Sequence, residues 1–223
     1  MLFNLFFLFE LFALVSCVYA YKKLDSNFKI FLPFLAFTVV YEFINIRYMH
    51  LLLWHHTNAW CNNFEGMIEL AVYGQFMASL DKRKAYRRKI YIATVTGIVL
   101  ILADIIFLHG FWMLATTSFV VQNMIQAALV FNYYYNLLHN MDDYEYPNLI
   151  TFPPFLAATG LLVYSVVNCF YFIPFDFVVY QKSSPFLISA FTTTYVIHQI
   201  SITFLNTLLG VSFLCFLRPK KLA

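Results

Sequence analysis

Seven apolar stretches, each about the length a helix needs to cross a bilayer, occupy almost all of this 223-residue chain. They run approximately over 2–21, 28–54, 62–80, 90–108, 111–138, 155–175 and 186–217. Hydrocarbon offers no water to backbone N–H and C=O groups, so such segments exist only as helices or as closed barrels. Barrel strands alternate polar and apolar residues in segments of roughly ten. Here the apolar runs are unbroken, and 62% of all residues are hydrophobic. The expected fold is an all-α integral membrane protein, a seven-transmembrane-helix bundle forming one domain over 1–223 with no soluble domain.

Lysine and arginine set the orientation, because short loops rich in them stay in the cytoplasm. Lys22, Lys23 and Lys29 surround the first turn, Lys82, Arg83, Lys84, Arg87, Arg88 and Lys89 fill the third, and Arg218, Lys220 and Lys221 follow the last stretch. Of the 14 basic residues, all but Arg47 and Lys182 agree on one topology. It puts the N-terminus outside and the C-terminus in the cytoplasm, which requires an odd number of spans. The expected location is the bacterial inner (cytoplasmic) membrane, with the lipid bilayer as the main surrounding partner. A net charge of +3 reflects this topology and attraction to anionic headgroups, not nucleic acid. The first stretch has no basic flank before it, carries Glu10 in its middle and lacks a small-residue cleavage site, so it reads as a retained helix rather than a signal peptide. Cys17 and Cys215 fall near the cytoplasmic face, Cys61 and Cys169 toward the outside. Buried free cysteine is the commoner state, and a Cys61–Cys169 disulfide is the alternative.

The loops are short and six residues follow Leu217, so no kinase, cyclase or DNA-binding module is expected, and any signal passes to a separate protein. The basic turn Lys82, Arg83, Lys84, Arg87, Arg88 and Lys89 is the expected partner or lipid contact. Its plainer reading is topology and headgroup contact alone. Asp142, Asp143 and Glu145 make the following cytoplasmic loop acidic. Outside, His50, His55, His56 and His109 gather near one surface, but their spacing matches no zinc pattern, and Trp54, Trp60 and Trp112 read as interfacial aromatics. No metal and no cofactor is expected.

The strongest functional signal is polar residues inside apolar stretches. A charged side chain facing lipid at mid-bilayer costs about 2.5 to 3.5 kcal/mol on insertion scales. Glu10, Glu42, Glu69 and Asp104 lie at such depth, with Glu65 nearer the interface, so they are expected to face inward. Helical spacing agrees. The second stretch aligns Thr38, Glu42 and Asn45, and the third Asn62, Glu65, Glu69 and Tyr73. The fifth aligns Ser118, Gln122, Gln126, Tyr133 and Asn136, and the sixth Gly160, Tyr164, Asn168 and Tyr171. The seventh aligns Thr192, Tyr195, Gln199, Thr203, Asn206 and Gly210, with His198 on the neighbouring face. A central cavity shared by five stripes is the simplest target, lined by Glu42, Glu69, Asp104, Gln122, Gln126, Tyr164, Asn168, His198, Gln199 and Asn206. The competing reading is interhelical hydrogen bonding, worth about 0.6 to 2 kcal/mol per bond. It suits the amides and hydroxyls better than the acids. Arg47 sits closer to the outer surface on a different face from Glu42, where it snorkels outward or pairs across helices.

Known seven-helix chemistries fit poorly. No lysine lies between Pro185 and Leu217 to carry a retinal Schiff base. His198 is followed four residues later by Ile202, where membrane zinc hydrolases resemble one another in a second histidine. No proline precedes a glutamine, as it does in three-plus-one-plus-three sugar carriers. Pro33, Pro154 and Pro174 lie near helix ends and suggest no pair of broken helices. No dinucleotide loop, phosphate loop, nucleophile elbow or Cys/His cluster appears. The chain is therefore not expected to be an enzyme.

Glu42, the Asn-Asn-Phe-Glu-Gly-Met-Ile-Glu run from Asn62 to Glu69, Thr-Gly-Leu-Leu-Val-Tyr from Thr159 to Tyr164, and the ending from Asn206 through Cys215 to Arg218-Pro219-Lys220 give the chain a resemblance. It resembles a set of seven-helix membrane proteins of Bacteroidetes of about this length. The motifs are short and hydrophobic, and the likeness runs over the whole chain. It implies a detached sensory or transducing module beside a histidine kinase, and it assigns no chemistry to individual residues. The expected function is thus a membrane sensor that binds a small or lipidic ligand, or a proton, in its central cavity and signals to a separate protein. The alternatives are a small channel or proton-coupled transporter using the same acids, and a structural subunit of a membrane complex.

Overall fold

The structure, a computed structural model, describes residues 2–53, 57–81, 83–139, 149–179 and 185–218. Trp54, His55, His56, Lys82, Asp142, Asp143, Glu145, Lys182, Pro219, Lys220 and Lys221 lie outside them. The described residues form α1 (Leu2–Ala20), the short α2 (Ser26–Lys29), α3 (Phe31–Arg47), the short α4 (Met49–Leu52), α5 (Ala59–Leu80), α6 (Lys84–Asp104), α7 (Thr116–His139), α8 (Pro153–Val179) and α9 (Pro185–Cys215), with no β-strand among them.

Among the described residues five stretches are long and apolar enough to cross a membrane: Leu5–Lys23, Ser26–Arg47, Lys84–His109, Pro153–Phe175 and Phe191–Cys215. The chain is a multi-pass membrane protein. The other long helices, α5 and α7, have the length but are more polar. Their polarity points inward, since Asn63, Gln122, Asn123 and Gln126 are each only 1% exposed. Burying these amides inside the bundle removes them from lipid, where each would lack a partner.

The helices close into a ring in the order α1, α3, α5, α7, α8, α9 and back to α1, while α6 packs outside on α5 and α7. Accordingly α6 turns Tyr91, Ile92, Val95, Val99 and Leu102 outward. It is held to α5 by reciprocal insertions at two glycines. A Cβ at Gly74 would collide with the Thr94 side chain, and one at Gly97 would sit 2.6 Å from Leu70 Cδ2. Each helix thus fills the hollow of the other, a small-residue contact that lets backbones approach.

One end of the bundle is sealed by aromatic side chains. Phe28 from α2, Phe31 from α3, Phe76 from α5 and Phe213 from α9 are all at most 1% exposed. The Phe31 and Phe76 centroids lie 5.0 Å apart, those of Phe28 and Phe76 5.2 Å, and Phe216 closes on Phe28 at 4.9 Å. Edge-to-face pairs of this kind add about 0.5–1.5 kcal/mol each beyond area burial. Basic residues frame this end, where Asp81 turns the chain from α5 into α6. The Arg83 guanidinium reaches Asp81 Oδ2 at 2.6 Å and Oδ1 at 3.0 Å, and holds that carboxyl below its ordinary pKa.

Several boundaries differ from those the hydropathy suggests. The second stretch does not continue as one helix to 54: α3 ends at Arg47, and Tyr48 leaves helical geometry at φ −133°, ψ 35°. The following connection is pinned instead, by Asn58 Nδ2 on Asn45 Oδ1 at 3.3 Å and by the Trp60 indole donating to the Leu52 carbonyl at 3.0 Å. The fourth stretch widens into a π-helical turn, Ile105–His109, that Gly110 stops at φ 82°. The fifth starts at Thr116 rather than 111, because Asn63 captures the connection. Its Nδ2 donates to the Met113 carbonyl at 2.9 Å and its Oδ1 accepts the Ala115 N–H at 3.0 Å. Pro174 lies inside α8, which runs on to Val179, rather than near its end.

The interlock between α5 and α6 has a direct test. Gly74→Ala is expected to lower stability in detergent by about 1–3 kcal/mol through overpacking. Adding Thr94→Ala should recover most of that loss in a thermal melt. A double variant no more stable than the single would show that the contact is not the cause.

Candidate functional site

The six ring helices enclose a cavity of about 280 Å³ in the half of the bundle opposite the aromatic seal, and α6 contributes nothing to its walls. Polar side chains arrive from every wall: Glu10 from α1, Thr38, Glu42 and Asn45 from α3, Asn62, Glu65 and Glu69 from α5, Asn123 from α7, Asn168 from α8, His198 and Asn206 from α9. Phe34, Leu35, Tyr73 and Leu205 form the floor above the seal, while Asn45, Asn62, Leu114 and Phe175 lie toward the other end. Glu65 and Glu69 are one turn apart on α5, which puts both on the same face.

The four glutamates are within electrostatic reach of one another, Glu65 of Glu42, Glu69 and Glu10, and Glu10 of Glu42. Among the described residues no lysine or arginine lines the cavity, and Arg47 is exposed at the end of α3. The Tyr164 hydroxyl donates to Glu69 Oε2 at 3.3 Å. Buried oxygens of Glu10 (Oε2), Glu42 (Oε2) and Glu69 (Oε1) find no hydrogen-bond partner among the described residues. The same holds for Asn168 Oδ1 and His198 Nδ1. The His198 ring stacks on Tyr171 with centroids 4.3 Å apart and planes 3° from parallel. At the mouth, the Tyr41 hydroxyl donates to Asn62 Oδ1 and ties α3 to α5.

Of the residues expected from the sequence to share a cavity, Glu42, Glu69, Tyr164, Asn168, His198 and Asn206 line it. Asp104, Gln122, Gln126 and Gln199 do not. Asp104 lies on α6, outside the ring, at the start of α7. Its Oδ2 accepts the Ser118 N–H at 2.9 Å, and its Oδ1 meets His109 Nδ1 at 2.5 Å. It satisfies a helix N-terminus, a role that carboxylates favour. Gln126 accepts the Ser165 hydroxyl at 3.0 Å and holds α7 to α8, beside the Tyr134–Thr159 hydroxyl pair at 2.7 Å. Gln122 packs behind Gly66 at the contact of α5 with α7, where a Cβ would come within 3.3 Å of its Oε1. Gln199 is 7% exposed and lies outside the lining. On α9 the Thr192 and Thr203 hydroxyls bond carbonyls one turn back, at 2.9 Å each, which consumes them within the helix.

The lining also includes Asn45, Asn62, Glu65 and Tyr171 from the polar stripes and the inward-facing Glu10, none of them in the expected cavity set, together with Asn123, Phe6, Phe119, Phe172 and Phe175, which lie on no stripe. Glu10 carried a signal, an acid mid-way along an apolar run, and Glu65 stands one turn from Glu69. The phenylalanines carried none, because an inward phenylalanine has the same neighbours in sequence as one facing lipid. Cys61 and Cys169 are free thiols. Among the described residues no three His, Cys, Asp or Glu side chains converge so as to hold a metal ion.

Carboxyl and amide oxygens therefore dominate the cavity lining, and among the described residues no three metal-ligating side chains accompany them. The Asp104 contacts separate structure from binding. Asp104→Ala would leave the Ser118 N–H unsatisfied and is expected to cost about 1–3 kcal/mol in a detergent melt. Glu42→Gln should cost less there, because it removes no such contact. The reverse order would place the structural role at Glu42. Family models, curated proteins and solved structures were all compared with the chain, and none matches it.

Proposed function

We propose that the chain is a seven-helix sensor or transducer of the bacterial inner membrane, N-terminus outside and C-terminus in the cytoplasm, that takes up a small ligand in its cavity and signals to a separate partner protein. The observation that carries this reading is the one-sided cavity: acid-lined and roomy toward one end, closed by packed phenylalanines at the other. A binding pocket needs a single entrance, whereas a permeation path needs two. The seven-span count includes α5 and α7, whose polar residues turn into the ring. The basic residues Arg83, Lys84, Arg87, Arg88 and Lys89 border the sealed end and, with Lys82 next to them in sequence, are the surface offered to a histidine kinase or another partner. Ligand in the cavity would favour one of two helix arrangements, and α5 and α6 would carry that difference to the basic turn.

The small-channel or proton-coupled transporter reading rests on the same four carboxylates. Purified protein in liposomes separates the two. No proton or cation flux is expected from the wild type, and Phe31→Ala and Phe213→Ala together should create a leak by thinning the seal. Flux through the wild type would favour the transporter and sink the sensor. The sensor reading also expects a kinase or regulator to copurify from native membranes, and charge reversal at Arg87 and Arg88 to release it. Stoichiometric capture that survives the reversal would move the docking surface elsewhere.

A further inference from the structure

The cavity has an unusual composition for a buried space. Four glutamates face it with no lysine or arginine to balance them, and three leave a buried oxygen without a hydrogen-bond partner among the described residues. Asn168, 2% exposed and part of the lining, likewise aims an unpartnered Oδ1 inward. When ionised, these carboxylates are acceptors only, as is the Asn168 Oδ1, so an occupant that satisfies them is a donor or a cation. Aromatic side chains supply the rest of the wall, with Phe6, Phe119, Tyr171, Phe172 and Phe175 among them.

The carboxylates are spread over α1, α3 and α5, and among the described residues no three of them converge on a point. A bare metal ion needs several ligands at one short distance. An organic ammonium does not, because its charge is spread over a larger body and aromatic faces hold it as well as carboxylates do. The space is right for one. At about 30 Å³ per water in the liquid, 280 Å³ holds about nine waters or an organic ion of similar bulk.

We propose that the cavity is a binding site for a small organic ammonium ion, held between Glu42, Glu65 and Glu69 and the aromatic side chains that complete the wall. This rests on the sensor reading for its consequence, and names the class of ligand that such a sensor would take.

The test is isothermal titration of the purified full chain in detergent, at fixed pH and ionic strength, with choline, benzyltrimethylammonium and putrescine. The neutral isostere of choline, 3,3-dimethylbutan-1-ol, and potassium ion serve as controls. At least one ammonium is expected to bind at millimolar concentration or better, with both controls at least about tenfold weaker. Glu42→Gln with Glu69→Gln should weaken it by about tenfold or more, and Tyr171→Leu by a smaller factor, while the variants elute from size exclusion as the wild type does. Equal binding of the neutral isostere or of potassium would overturn the proposal, as would no binding by any of the three ammonium ions. Ammonium binding without partner response would leave the ligand class standing and remove the transducer. A partner that responds to some other ligand while no ammonium binds would do the opposite.

Discussion

Lipid cannot solvate a polar group, and the architecture follows from that constraint. Each carboxylate or amide in the apolar segments must find another part of the same protein or an enclosed polar space. The ring of six helices provides that space, and α5 and α7, with their buried amides, both belong to it. The helix left outside, α6, keeps its basic residues in its first turns, and from Tyr91 to Leu102 its outward side chains are apolar apart from Thr96. Its single acid, Asp104, is removed from lipid in a different way, by binding the first turn of α7 and His109.

Much of this was legible in the residues, and what was not has a physical reason. The inward direction of Glu42 and Glu69 follows from the cost of exposing an acid to hydrocarbon together with the 3.6-residue repeat. The helical class followed from unbroken apolar length. Asp104 obeyed the same cost argument and still lies elsewhere, because the argument says only that an acid avoids lipid. A helix N-terminus meets that need as well as a cavity does. Gln122 and Gln126 share a face with residues that look inward, yet an amide on such a face serves as helix contact or as cavity wall with no difference in sequence. The start of α7 was hidden for another reason. Residues 111–115 are as apolar as a span, and it takes Asn63, some 50 positions earlier, to hold them as a connection.

The two halves of the bundle are built on different principles. Around Phe28, Phe31, Phe76 and Phe213 the space is filled by interlocking rings, which tolerate little change in volume. Toward the other end the lining is more polar, with acceptors that find no donor among the described residues. Unsatisfied groups of this kind are costly in a protein interior. Those on Glu10, Glu42, Glu69, Asn123, Asn168 and His198 line one cavity and give it its chemical character, while Thr94, Thr116, Gln122, Gln126 and Gln199 carry others elsewhere in the bundle.

The reciprocal seating of α5 and α6 has a mechanical consequence. Thr94 occupies the hollow at Gly74, and Leu70 the hollow at Gly97, so neither helix can slide along the other without lifting a side chain out of its seat. The pair behaves as a single stiff beam. Its α5 arm, 22 residues and so about 33 Å long at the usual helical rise, carries Glu65 in its first third, Glu69 at its middle and the Asp81–Arg83 clasp beyond its last turn. Tilting the acidic end by a few degrees displaces the clasp by an ångström or two in the opposite sense, as a lever must.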